Sequence, residues 1–319
     1  MRGGLAVRLL RVVPVALVVS LVVFFLVEFV PGDPATQVLG PNSSADDYYA
    51  VRQELGLDQP WYRRYLGWLG HAVRGDLGRT LVPPVEAVGS RLARALPVTV
   101  ELALLALLLA LVISVPAALL SASRPGGRID RAVTTVTFAT VSLPSFLVGL
   151  LLLLVLSYQL HLFPEALWVR PTEGGWIENL KHAFLPALTI ALPEMALMTR
   201  VLRSDLVVTL QQDFVLFARA KGMPRRHVLV REALRPASFS LVTLLGISLG
   251  RLIGGTIVVE TLFSLPGMGK VIVDGSLKSD YTLVQGGVII VAVTYVAMTT
   301  LVDVAYGYLD PRVRRPSSR

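Results

Sequence analysis

Six stretches of this chain stay apolar long enough to cross a bilayer, and that limits the folds open to it. About 20 helical residues cover the roughly 30 Å of hydrocarbon. Runs of that length fall at about Leu9–Val30, Pro97–Leu120, Ala132–Leu160, Phe184–Leu206, Ala237–Phe263 and Leu283–Leu309. Hydrocarbon offers the backbone no hydrogen-bond partner, so each run is expected to be helical. The fold class that follows is an all-α membrane protein of six transmembrane helices. Composition agrees: 54% of the 319 residues are hydrophobic and 16% charged, with mean hydropathy +0.64. A soluble core cannot bury that much apolar surface. The first run follows Arg2, Arg8 and Arg11 as a signal peptide would. It is long for one and ends in Pro31-Gly32-Asp33-Pro34 without a small-residue cleavage site, so it is expected to stay as an anchor.

The net charge of +8 is not a nucleic-acid signal, because the basic residues flank the apolar runs and act as orientation signals. With the N-terminus in the cytoplasm, the inner segments hold Arg124, Arg128 and Arg131, a dense set from Arg200 to Arg235, and Arg312, Arg314, Arg315 and Arg319. The short outer loops hold only Arg170 and Lys181, then Lys270 and Lys278. Both termini are therefore expected inside. The chain has no cysteine, which excludes disulfide and thiolate chemistry. Its histidines, His71, His161, His182 and His227, show no metal-ligand spacing, so neither a metal site nor a catalytic one is expected.

The expected organisation is an anchor over residues 1–30, an outer loop domain over 31–96, a five-helix core over 97–309 and a cytoplasmic tail over 310–319. The outer loop reads as two short helices, about Ala45–Leu55 and about Pro60–Val73. The second places Trp61, Tyr65, Trp68 and Leu69 on one face. That stripe suits a helix lying on the membrane interface or on its own loop, or a platform for an external partner.

The most basic loop contains Asp213–Pro224, DFVLFARAKGMP. It reads as a short helix with Phe214, Phe217 and Ala218 on one face and Arg219 and Lys221 beside it. Ala218 and Ala220 are small enough to admit another backbone. Gly222 fits the C-terminal cap, Pro224 blocks continuation, and basic residues suit the end of the helix dipole. Composition alone allows an ordinary surface helix in a positive inner loop as well as a lever for a partner protein.

Ala218-Arg219-Ala220-Lys221-Gly222 resembles the "EAA" loop of ABC-importer permeases of the oligopeptide/dipeptide/nickel family. Further resemblances run in order along the chain: Arg8-Leu9-Leu10 to Pro31-Gly32-Asp33-Pro34-Ala35, Leu55–Pro60, Arg74–Gly78, Ser142–Phe146, Val258–Gly269 with Asp280-Tyr281, and Leu309–Arg312. The resemblance implies a type I importer permease whose loop, about 213–224, is a coupling helix seated on a cytoplasmic ATPase, with Phe214, Phe217, Ala218, Arg219, Ala220, Lys221 and Gly222 at the contact. It implies further partners: a homologous second permease, two ATPase subunits that hold ATP and Mg, and an extracytoplasmic substrate-binding protein. This chain would bind no cofactor. The setting is a bacterial inner membrane, the cargo a dipeptide or oligopeptide, the direction uptake. The general pattern has Glu where Leu216 stands, and an Ile-x-Leu-Pro turn where this chain reads Glu232-Ala233-Leu234-Arg235-Pro236.

Pro266-Gly267-Met268-Gly269-Lys270 only imitates a phosphate loop, since Ser264 and Val271 occupy places that need Gly and Ser/Thr. ATP hydrolysis must then come from another polypeptide. Gly246, Gly250 and Gly254 form a small-xxx-small row for close helix contact, or for the path between permeases. Charges within or beside spans are costly and face partners, water or a pathway. Glu28, Glu101 and Glu260 lie near span ends and are expected at the interface; Asp303 is also a candidate. Glu194 and Arg251 lie deeper, where a structural or gating ion pair involving them is one reading among others. Pro116, Pro144 and Pro193 are candidate kinks. A six-span secondary transporter or channel outside the ABC class is the alternative, and a scaffold without transport the third reading. The former predicts internal repeats and broken helices at mid-membrane; no convincing repeat is present. The latter has no use for a glycine-capped basic lever.

Overall fold

The computed structural model of the chain describes Pro14, residues 16–25, Ala35, Leu39, Tyr48, Tyr49, Arg52, Gln53, residues 57–164 and residues 167–309, the last seven without their side chains. The Pro31–Pro34 turn, most of Ala45–Leu55, Glu28, the Asp303 side chain and the tail from Asp310 lie outside the described residues. Among those described, the regular elements are helices: α1 Ala16–Phe25, α2 Trp61–Val73, α3 Val88–Ser123, α4 Arg128–Ser142, α5 Ser145–Leu152, α6 Pro171–Thr209, α7 Asp213–Ala220, α8 Arg225–His227, α9 Leu234–Gly255, α10 Ile257–Leu262, α11 Met268–Leu277 and α12 Tyr281–Leu309.

Four described helical stretches are long and apolar enough to cross a membrane: α3, α6, Arg225–Gly255 (α8 through α9) and α12. A fifth crossing forms if α4 and α5, with its π-helical continuation Leu153–Gln159, count as one. Of the first expected span, Leu9–Val30, the described part α1 is apolar but shorter than a crossing.

Two expected spans differ in form. The third is not one rod over Ala132–Leu160, because its halves meet at 104°. Leu143 is extended, with φ −91° and ψ 132°, as a residue before proline prefers. Pro144 supplies no N–H and instead heads α5, accepting the N–H of Leu147 at 3.0 Å. The fifth does not run unbroken to Phe263; α9 stops at Gly255 and α10 follows after Thr256. Pro186 and Pro193 sit inside α6, whose interruption is at Gly175 instead, with φ +77° and ψ +166°.

The chain divides into two compact units, residues 1–99 with 266–300, and residues 100–265 with 301–319. In the first, the aromatic stripe of α2 meets α1. Tyr65 stands edge-on to Phe24 at 5.4 Å and Trp61 lies 5.0 Å from Phe25. The Tyr65 hydroxyl shares a 2.9 Å hydrogen bond with Ser20. Two members of the stripe thus touch the N-terminal helix, while no residue of α2 is buried.

The same unit ties the segment before α3 to the segment before α12. Asp280 accepts the N–H groups of Leu81 (3.1 Å) and Val82 (3.4 Å) on one carboxylate oxygen and that of Leu283 (3.1 Å), in the first turn of α12, on the other. Beneath it, Leu77, Val88, Leu92, Met268 and Leu283 form a buried apolar cluster. The amide of Met268, inside the glycine-rich imitation of a phosphate loop, donates to Thr99 Oγ1 at 2.8 Å and so serves packing.

In the second unit, α6 packs against α4, α5 and α9. Gly246 on α9 takes up Val302 of α12: a Cβ there would fall 1.9 Å from Val302 Cγ1. Gly250 is buried too, whereas Gly254 faces outward, so the row is a contact at one end only.

Replacing Asp280 with Ala leaves three backbone donors without their acceptor. A loss of about 2 kcal/mol is expected, read as a lower Tm of the purified protein.

Candidate functional site: the basic loop helix and its supports

Local chemistry is sufficient to form α7. Gln212 precedes it in extended backbone, and Asp213 occupies the first turn while Arg219 occupies the last, both favoured by the helix dipole. The end is a Schellman cap. The Gly222 N–H donates to the carbonyl of Arg219 at 2.9 Å and the Met223 N–H to that of Ala218 at 3.3 Å. Gly222 sits at φ +79°, where an L side chain is strained. Pro224 then turns the chain into α8.

One side of α7 is anchored. Val215 and Ala218 pack with Val228, and Leu210 completes the cluster. Ala218 therefore does not share the outward face with Phe214 and Phe217; its small side chain admits the protein's own residues. The outward face carries Phe214, Leu216, Arg219, Ala220 and Lys221, and Phe217, which is 61% exposed. Lys221 Nζ lies over the Phe217 ring at 4.4 Å. Phe214, Leu216 and Phe217 are thus three large apolar side chains exposed on one eight-residue helix. Leu216 stands where the family's general pattern has Glu.

The exit from the loop is continuous. Val228–Ala233 is π-helical and runs directly into α9. A proline ring clashes with the carbonyl four residues back, here that of Glu232, and the wider π turn leaves room for Pro236.

Two buried charge networks support this region. Asp130, in the first turn of α4, is buried and receives Arg203 of α6 in bidentate fashion, Nε to Oδ1 at 2.5 Å and Nη2 to Oδ2 at 2.7 Å. The Ser121 hydroxyl also donates to Oδ1, and the Gly126 N–H donates to Oδ2 at 2.7 Å. One carboxylate thus fixes the ends of α3, α4 and α6 and the turn between the first two. The sequence reading missed both residues, since each lies in a segment read only as a basic loop or span end.

The second network joins Glu194 of α6 to α9. Arg251 Nη2 donates to Glu194 Oε1 at 2.5 Å and Ser248 Oγ to Oε2 at 2.6 Å. The Glu194 side chain is 4% exposed and that of Arg251 58%. Glu260, near the end of the fifth expected span, is wholly buried within the protein and accepts the Thr256 hydroxyl at 2.7 Å. Glu101 is half-buried on α3.

Removing Arg203 by changing it to Ala leaves the Asp130 carboxylate buried without its guanidinium. A cost of about 3–5 kcal/mol is expected, and changing Asp130 to Asn in the same chain should recover part of it. Thermal unfolding of the wild type and the two purified variants measures both.

Residues 114–315 match the family of binding-protein-dependent transport system inner membrane components. Residues 1–103 match the N-terminal region of binding-protein-dependent transport system membrane components. The chain is 36% identical over 307 residues to the oligopeptide transport system permease protein AppB of Bacillus subtilis, covering 96% of this chain and 97% of that protein. It is 34% identical over 310 residues to the glutathione transport system permease protein GsiC of Escherichia coli K12, again covering 96% and 97%.

Proposed function

Because the chain belongs to the binding-protein-dependent transport system inner membrane component family, we propose that it forms half of a peptide-conducting path and is driven through α7. It is an integral membrane permease subunit of an ABC importer, and ATP is hydrolysed by separate ATPase subunits. The observation that carries the coupling role is the outward face of α7. Phe214, Leu216 and Phe217 are exposed on a helix whose other face is bolted to its own loop. Such a helix can transmit a push without being peeled away.

In this reading two homologous permeases face each other, and two cytoplasmic ATPases hold ATP and Mg while this chain binds neither. A binding protein delivers cargo from outside. The fold is of the type I importer class with six spans, α1 belonging to the first, and with both termini in the cytoplasm of a bacterial inner membrane. The outer loop domain spans residues 31–96, the core 97–309 and the tail 310–319. The ATPases close on ATP, α7 moves with them, and the path changes the side to which it opens. Peptide cargo is supported by the relatives, one named for oligopeptides and one for glutathione, itself a small peptide.

The absence of native cysteine makes the test direct. Ala220→Cys, co-expressed with candidate ATPases, is expected to crosslink to an ATPase in a manner that changes with ATP. Phe214→Ser with Phe217→Ser should abolish that crosslink and lower uptake of labelled peptides more than tenfold, roughly the cost of unseating two buried aromatic anchors. A residue-220 thiol that reacts from the cytoplasm yet reaches no ATPase would overturn the coupling role. Uptake of a nickel chelate in preference to peptides would overturn the cargo.

A further inference from the structure

Next to α7 lies a cavity of about 730 Å³, bounded by the end of α3, the end of α6 and the segment that follows α7. Four guanidinium-bearing residues line it: Arg124, Arg219, Arg225 and Arg226. No acidic residue does. The carboxylates nearest along the chain are Asp130, Asp205, Asp213 and Glu232; none is in the lining, Asp130 is held by Arg203, and Glu232 lies 3.7 Å from the His227 ring. Among the described residues, none of the four arginines has an ion pair or a side-chain hydrogen bond. Like charges gathered in a concavity repel one another and create a field that draws in an anion. Guanidinium groups suit phosphate oxygens, which they meet with paired N–H donors.

The remaining walls select among anions. Val207, Leu210, Met223 and Leu229 make much of the lining apolar. Free phosphate gains nothing from such walls; an amphiphile does. Position points the same way. The cavity begins at Ala122 and Val207, where two membrane-crossing helices end, which is the depth of lipid headgroups. The arginine-bearing turns are also held in place before any ligand arrives. Gly127 donates to the Arg124 carbonyl at 3.0 Å and Gly126 to Asp130, while the Schellman cap holds the backbone between Arg219 and Met223.

We propose that this cavity binds the headgroup of an anionic phospholipid, with the phosphodiester among the arginines and the glycerol-acyl portion along the apolar wall. The proposal rests on the importer reading only in assigning this face to the cytoplasmic leaflet; lipid capture does not require ATPase docking. A lipid held here would touch the segment that carries α7, so membrane charge would bear directly on the coupling helix.

The test uses the intact importer in nanodiscs of phosphatidylcholine, with and without phosphatidylglycerol. A photoactivatable phosphatidylglycerol is expected to label the segments around Arg124 and Arg225. Arg225→Gln with Arg226→Gln should weaken retention about thirtyfold, given roughly 1 kcal/mol per basic side chain near an anionic surface. Retention is read by native mass spectrometry, with Arg124→Gln as an independent second variant. Millimolar inorganic phosphate should not displace the lipid. Equal labelling of wild type and variants would overturn the proposal, as would displacement by phosphate alone. So would a crosslink from Arg225→Cys to an acidic ATPase segment in place of lipid. Thermal unfolding reports folding of the variants, and the Ala220→Cys crosslink is measured in the same preparations. It also separates the readings: lipid labelling without an ATPase crosslink sinks coupling and keeps the lipid site, and the reverse result does the opposite.

Discussion

Hydrocarbon cannot accept a hydrogen bond, and the structure is organised around that fact. Each span must satisfy its own backbone, so the long apolar runs are helices, and departures from the regular ladder need local partners. At Leu143–Pro144 the chain breaks, and the Pro144 carbonyl takes up the following amides. At Gly222 two amides close back on α7. At Pro236 the ladder widens into a π turn instead of opening. Amides outside the helical ladders find side-chain acceptors as well: Asp280 collects those of two loop residues and one helix start.

Buried charge is the second organising element, and it is used sparingly. Asp130 and Arg203 join three helix ends at the base of the loop that bears α7. Because the pair is bidentate and also engages Ser121 and the Gly126 amide, it defines orientation as well as proximity. The turn after α3 and the end of α6 are therefore placed as one piece. The eight residues of α7 themselves provide only a small packed face, Val215 and Ala218.

The membrane class, most span positions and the limits of the basic loop helix were legible in the sequence because they rest on local signals. Apolar length gives a span; Gly222 followed by Pro224 gives a helix end. The proline at 144 was visible as a kink candidate, but the size of the bend was not, because it depends on how α5 packs on α6 and α10. Ala218 was misplaced for a similar reason. Spacing puts it near Phe214 and Phe217, yet only the position of Val228 decides that it faces inward. Asp130 and Arg203 lie 73 residues apart, and no periodicity connects them. Nearness to a span end says nothing of Glu260's burial, which depends on the packing of α10 against α5 and α6.

The pair between α6 and α9 is lopsided: the Glu194 side chain is 4% exposed and that of Arg251 58%. A change that removes the arginine alone strands a negative charge among packed helices. A change that removes the glutamate alone deprives two donors on α9 of one shared acceptor, the Arg251 guanidinium and the Ser248 hydroxyl.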